Sequence, residues 1–418
     1  MKFYYALLPV FLFFHCKNGP ISPKTWQVGV CTIAINPAMG AFIAGDKHNR
    51  HFTAVHDSLY VKAIVLADTN NQMALLTFDC IGLLYPTLLE IRKAVSKKIP
   101  AAEFDPSSIV MASSHTHSGP DVVGIWGPDP LTSGVDSVYM KNLVYAATEA
   151  IARAWGSKQA ATMHVAETTF GEAWVHNISE PNELDRAVSI VQFKDKSGKS
   201  MATLTNFACH PTILDGTLTI VSADYVYGMY QHLNETLGGT NFFLQGSIGG
   251  WVQPEYEKKT MEVAEKRGRD LGLVVENALK QASSSTVPPR IQYKHKVIQL
   301  PVQNEGFQQL AAAGVIKRTI TDSVATEIAS FSWGNTQFIT HPGETVPAYS
   351  LQSKAWMTNQ GPKFVIGLGM DALGYILKPS FFDPAANIPH CEYLTGMSVG
   401  RDAGPILMKA VEELLKEQ

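Results

Sequence analysis

Apolar and polar positions along this chain fall into short runs of strand-like alternation, separated by stretches of helical spacing. Residues 26–35 alternate small and apolar side chains and predict a strand, which the turn at 36–40 ends. Residues 61–67 and 73–79 predict two more strands around the turn Asp68-Thr69-Asn70-Asn71. A helix is expected over 86–98, a buried strand over 109–112, and an Ala-rich helix over 137–155. Strands follow at 162–167, 187–193 and 202–208. Asp224 is placed to cap a helix running through Leu237. A short strand at 242–244 and an amphipathic helix over 257–282 complete this part. In the last third, 290–300 alternates like a half-exposed strand. Residues 325–331 and 337–340 pair around Gly334-Asn335. A helix reaches to about Met357, a strand covers 363–368 and a last helix covers 405–416. No repeat, low-complexity tract or linker interrupts the pattern. The expectation is one α/β unit over residues 26–418, with mixed β-sheets covered by helices.

Several strands run straight into chemistry. The run Ile109-Val110-Met111-Ala112 is followed by Ser113-Ser114-His115-Thr116-His117-Ser118-Gly119-Pro120. An extended backbone there would point His115 and His117 to the same side, because side chains alternate with period two. Taken alone, the pair reads equally well as a solvated loop or as a site. Strand 202–208 runs into Cys209-His210-Pro211-Thr212. Strand 242–244 runs into Gln245-Gly246-Ser247-Ile248-Gly249-Gly250-Trp251, and 337–340 into His341-Pro342-Gly343-Glu344. Asp79 ends another strand. Converging strand ends would bring these groups together. Two histidines and a glutamate are the donor set of a catalytic zinc site with an open position. Residues 45–57 hold three further histidines, His48, His51 and His56, with Asp46 and Arg50, and no role is assigned to them.

Composition narrows the classes. The chain has 418 residues, 45% hydrophobic and 17% charged, with a net charge of −3. That suits a large core, and no basic, aromatic-interleaved stretch suggests a nucleic-acid partner. Residues 3–14 are apolar apart from Pro9, too short a run to span a bilayer but of signal-peptide length. Cys16 ends this run, so residues 1–16 read as a signal, with lipidation of Cys16 as in a bacterial lipoprotein, and 17–25 as a tether. The expected location is exported, periplasmic or cell-surface, with peripheral membrane association through the lipid. The alternative is a frayed apolar terminus on a cytoplasmic protein. None of the five cysteines forms a CxxC motif, and the pairing of the four beyond Cys16 stays open.

The blocks also carry a resemblance. His115-Thr116-His117-Ser118-Gly119-Pro120, Asn206-Phe207-Ala208-Cys209-His210-Pro211-Thr212 and Pro342-Gly343-Glu344 are similar to signature blocks of the neutral/alkaline non-lysosomal ceramidase family. So are His56-Asp57-Ser58-Leu59-Tyr60-Val61-Lys62-Ala63 and the stretch 365–375. They occur in the family's order from about residue 26 onward. The resemblance implies that His115, His210, Glu344 and Tyr375 hold Zn2+, with His117 beside it as a proton-transfer or polarising group. It implies only the family's catalytic part, without the separate C-terminal β-sandwich. Departures stand beside the matches. The family's Gly-Asp-x-Ser-Pro loop, which supplies a serine, is here Gly249-Gly250-Trp251-Val252-Gln253-Pro254. The family's asparagine–arginine pair is Asn177-Ile178, and a family tyrosine falls at Cys391, with Tyr393 close by.

Two functions follow from the resemblance. The first is a zinc amidohydrolase acting on ceramide or a related N-acyl lipid amide with a metal-activated water. In it His117 moves protons, the 246–250 amides (Gly249 and Gly250 among them) hold the oxyanion, and Asn177, Trp251 and Tyr393 contact substrate. The second is an exported zinc-containing protein without turnover that serves in binding or adhesion.

Overall fold

The computed structural model describes residues 25–216, 218–282 and 284–417. The expected signal and Cys16, and the tether up to residue 24, lie outside them. The larger sheet has eight strands: β1 (Trp26–Ala34), β2 (Tyr60–Ala67), β3 (Gln72–Phe78), β4 (Ile109–Ser113), β5 (Gln159–Thr169), β6 (Ala187–Asp195), β7 (Ser200–Phe207) and β8 (Thr240–Gln245). Their spatial order is β8-β7-β6-β5-β1-β2-β3-β4. The sheet is mixed, antiparallel through its middle and parallel at both ends, where β3 pairs β4 and β7 pairs β8. β2, β3, β4 and β7 are almost entirely buried, as continuous apolar runs require when both faces are covered.

The smaller sheet runs β9 (Ile291–Pro301), β10 (Ser323–Trp333), β11 (Thr336–Thr340) and β12 (Lys363–Ile366) in that order. Among the described residues eight α-helices accompany the sheets: α1 (Tyr85–Lys98), α2 (Ser137–Gly156), α3 (Tyr225–Thr236), α4 (Met261–Lys280), α5 (Glu305–Ala312), α6 (Pro347–Trp356), α7 (Cys391–Gly396) and α8 (Ala403–Lys416). Asp224 caps α3 as expected, accepting from the Tyr225 amide. α4 is shorter than the expected 257–282, because Thr260 caps it by accepting from the Val263 amide. α5 and α7 have no counterpart among the expected elements, since neither is long enough to show a clear period. Cys31, Cys80, Cys209 and Cys391 are free thiols, and Cys31 is only half-buried. Burial pushes the Cys80 thiol up to about 12, so it is inert at neutral pH.

What matters for the site is how the two sheets lock together. The pairing of Phe78 with Ser113 makes Asp79 and Ser114 leave the sheet side by side. The pairing of Phe207 with Gln245 does the same for Ala208 and Gly246. The buried Gln245 amide then ties the two exits. Its Nε2 donates to Ser114 O (3.1 Å) and Cys209 O (2.9 Å), and its Oε1 accepts from Cys209 N (3.2 Å). Asn206 Nδ2 reaches across to Val365 O of β12 (3.1 Å), and Met370 N donates to Met111 O of β4 (2.8 Å). Gly367 is needed at this seam because a Cβ there would lie 2.1 Å from Gly246 O.

A second clasp joins α1 to β10. Arg92 donates both terminal nitrogens to buried Glu327, at 2.7 and 2.8 Å, and His295 Nδ1 lies 2.9 Å from the same carboxylate. Burial alone would raise the Glu327 pKa, but His295 and Arg92 outweigh it and hold it at about 2, against an ordinary 4.5. A depressed carboxylate pKa gives stability that is present above 4.5 and lost as pH falls toward 2. Glu327→Gln is therefore expected to cost about 3 kcal/mol at pH 7, leaving Arg92 unpaired. Urea unfolding of both proteins should show that gap shrinking as pH falls from 4.5 toward 2. An equal gap at pH 7 and pH 3 would contradict the assignment.

Candidate active site

His115 leaves β4 with φ +71°, so the backbone is not extended there and the period-two argument does not apply. Its ring is instead set by hydrogen bonds. The backbone amide donates to Cys80 O (2.9 Å) and Nδ1 donates to Ile81 O (2.5 Å). His210 is set the same way, with Nδ1 donating to Val252 O (2.7 Å). A carbonyl oxygen can only accept, so each Nδ1 carries a proton, and in the neutral ring each Nε2 presents a lone pair. Both lone pairs face Glu344, whose Oε2 lies 3.1 Å from His210 Nε2 and 3.6 Å from His115 Nε2. His117 joins from the side, its Nε2 3.3 Å from that of His115 and its Nδ1 3.2 Å from Asp215 Oδ2. Ligand atoms of the three histidines lie within 4.8 Å of one another.

Glu344 and Tyr375 come from the smaller-sheet half, where the two-stranded parallel pair Glu344–Thr345 and Tyr375–Ile376 sets them directly opposite each other. The Tyr375 phenol is hydrogen-bonded to Glu344 and accepts from Trp251 Nε1 (2.6 Å). Burial and the Glu344 charge push this phenol well above its ordinary range. Burial pushes His115 down to about 3, so its ring is neutral. His117 moves the other way, because the Asp215 carboxylate outweighs burial and raises it.

His115, His117, Glu344 and Tyr375 sit at one end of a cavity of about 100 Å3. The rest of its wall is mostly apolar, including Ile81, Leu84, Val123, Trp126, Phe307 and Leu373. Tyr393 lines the same end, half-exposed, and its ring packs against Trp251 at 5.2 Å. Trp251 reaches the site through Tyr375 and does not itself line the cavity.

Other expected residues stand elsewhere. Gly249 N donates to Thr345 O (2.9 Å), so that amide is not free to receive an oxyanion. Its place is steric, since a Cβ would lie 2.4 Å from Glu344 O. Gly250 packs beside Asn177 and does not line the cavity. Asn177 is buried and spends its side chain locally, donating to Glu183 O and accepting from the amides of Ser179 and Glu180. A substrate contact by Asn177 is therefore not what the geometry offers. The buried Ser247 hydroxyl bonds Thr345 Oγ1 (2.8 Å) and is no replacement for a loop serine. Asp79 ends its strand beneath the site, accepting from Tyr60 N and Tyr230 Oη. His51 and His56 make local contacts outside the cluster. Asp215, Gln245 and Gly45 also carry the site's geometry, and the sequence assigns none of them a role. Gly45, at φ +83°, lies so close to His117 that a Cβ would sit 2.4 Å from Nδ1.

Residues 28–242, just over half of the chain, match the profile of the neutral/alkaline non-lysosomal ceramidase N-terminal region. The chain belongs to that family. Neutral ceramidase B of Dictyostelium discoideum is 23% identical over 190 residues, which span 41% of this chain and 26% of the relative. The match thus covers about a quarter of that protein's length. Among solved structures, neutral ceramidase from Pseudomonas aeruginosa superposes with a TM-score of 0.76 at 15% identity. It covers 94% of this chain and 73% of the other. A ceramidase complexed with C2 gives a TM-score of 0.74 at 14% identity, over 94% and 74% of the two chains. The fold of the described residues is that of the neutral ceramidases.

Proposed function

We propose that this chain is a zinc-dependent amidohydrolase that cleaves the N-acyl bond of ceramide or a related lipid amide. The observation that carries this reading is the meeting of two imidazole lone pairs and a carboxylate in buried space. Acceptors facing one another away from water are costly unless a cation lies between them. Nδ1–H donation to main-chain carbonyls is the outer-sphere pattern that orients metal-ligating histidines. The donor set fits zinc, with His115, His210 and Glu344 as ligands and Tyr375 as the fourth. Zinc held there would supply an electrophile for the amide carbonyl and make water more acidic.

The remaining work falls to the chain's own residues. The apolar wall takes a hydrocarbon chain and excludes water from the reacting end. His117 Nε2 points into the cluster and is the group placed to take a proton from the attacking water and return it to the leaving nitrogen. Trp251 holds the Tyr375 oxygen in place, and Tyr393 forms the cavity wall beside it. With its N–H donated to Thr345 O, Gly249 offers no donor to a developing oxyanion.

A second reading, a zinc-containing binding or adhesion protein without turnover, draws on one observation. Residues 249–254 have no serine, and Ser247 is buried and bonded elsewhere. Turnover separates the two. Zinc-loaded protein is expected to release fatty acid from an N-acyl sphingoid or a simpler N-acyl amide, with about one zinc per chain. His115→Ala and Glu344→Ala should lose both zinc and turnover. Unchanged zinc in both variants would refute the ligand set. Bound zinc without turnover of any such amide would favour the binding reading.

Export and lipidation at Cys16 belong to the same proposal, because an anchored enzyme would face its lipid substrate at the membrane. Among the described residues no helix is long and apolar enough to cross a bilayer. Mass spectrometry of the N-terminal peptide from the native host should find a diacylglyceryl Cys16. An intact Met1 would contradict it.

A further inference from the structure

Of the three clustered imidazoles, His115 and His210 turn Nδ1 to a main-chain carbonyl, whereas His117 turns it to a carboxylate, Asp215 Oδ2, at 3.2 Å. That carboxylate is firmly held. Arg50 Nη1 lies 3.7 Å from Asp215 Oδ1, Lys259 Nζ donates to the Asp215 main-chain oxygen (2.8 Å), and the Asp215 amide donates to Thr212 O (3.3 Å). The same Arg50 guanidinium donates to Leu218 O (3.1 Å) and Gly45 O (3.4 Å), so it braces the loops on both sides of His117. Gly45 presses against the ring, and Gly216 leaves room for Asp46, whose Oδ2 would lie 2.6 Å from a Cβ there. A largely buried charge pair costs desolvation that an apolar side chain would avoid, so this arrangement is expensive as mere packing.

We propose that Asp215 is the positioning residue of this site, fixing His117 as the tautomer and orientation that can move a proton. This rests on the reading of the chain as an amidohydrolase with His117 as its proton-transfer group. The Asp215 carboxylate accepts the Nδ1–H and leaves the Nε2 lone pair facing the cluster and the cavity. During hydrolysis Nε2 takes a proton from the attacking water as the new C–O bond forms. It gives that proton to the amide nitrogen as the C–N bond breaks, so the products are a carboxylic acid and an amine. Asp215 stays ionised throughout and stabilises the transient imidazolium, the division of labour of an Asp–His pair in acyl transfer. His117 is thereby kept in a different job from His115 and His210, although its Nε2 lies only 3.3 Å from that of His115.

The test uses the full-length zinc-loaded protein and Asp215→Asn, Asp215→Glu and Arg50→Lys, with an N-acyl sphingoid as substrate. Asp215→Asn should lower kcat roughly 10²- to 10⁴-fold while KM and zinc content stay within about threefold. Asp215→Glu should recover at least about tenfold of that loss, and Arg50→Lys should fall between them. Long-range proton–nitrogen spectra of histidine-labelled protein read the tautomer directly, with or without turnover. His117 should carry its proton on Nδ1 in the wild type and populate the Nε2–H form in Asp215→Asn. A kcat within threefold of wild type, an unchanged tautomer, or loss of zinc on Asp215→Asn would each overturn the proposal. If the wild type turns over no amide, the amidohydrolase reading fails on that result, and the tautomer spectra still decide whether Asp215 positions His117.

Discussion

Two imidazole lone pairs and a carboxylate oxygen confront each other over 3.1–3.6 Å in a buried space, and much of this structure serves to hold them there. Each ring donates its Nδ1–H to a main-chain carbonyl, Ile81 O for His115 and Val252 O for His210. The rings therefore cannot turn to relieve the confrontation without leaving those carbonyls unpaired. In a dry interior a cation shared by all three would resolve that confrontation. The surrounding scaffold is consistent with that demand. Gln245 bridges the strand exits that carry His115 and His210, and close glycine contacts bring the 246–250 loop and the 366–374 turn against them.

The site is also a seam. The histidines arrive from the larger sheet, whose core is one cluster of aliphatic and aromatic side chains. Glu344 and Tyr375 arrive from the smaller sheet and its own cluster. Asn206, Gly367 and Met370 close the seam with main-chain contacts, so the relative placement of the two halves fixes the distance between the histidines and Glu344. Mobility between the halves would separate these groups, and buried amides together with the Arg92–Glu327 pair join them. The apolar cavity opens beside the seam and gives the polar cluster a hydrocarbon neighbour.

Much of this was legible in the sequence, for a physical reason. Strands buried on both faces read as continuous apolar runs, so β2, β3, β4 and β7 stand out, and the ionisable residues that follow them mark the strand ends. The family resemblance then linked blocks far apart in the chain. Three kinds of feature were not legible. His115 adopts φ +71°, which no alternation rule anticipates for a non-glycine residue. Asp215 and Gln245 act through contacts to residues far away in the sequence, which no periodicity reveals. The engagement of Gly249 N–H with Thr345 O depends on tertiary packing, so a glycine-rich loop that looked like a set of free donors is partly spent on structure.

The central claim is that His115, His210 and Glu344 form a cation site within a ceramidase fold. Diffraction from zinc-soaked crystals on either side of the zinc absorption edge tests it most directly. One dominant anomalous peak is expected between the Nε2 atoms of His115 and His210 and the Glu344 carboxylate. No peak there, with zinc seated instead on outlying histidines such as His48 or His56, would contradict it.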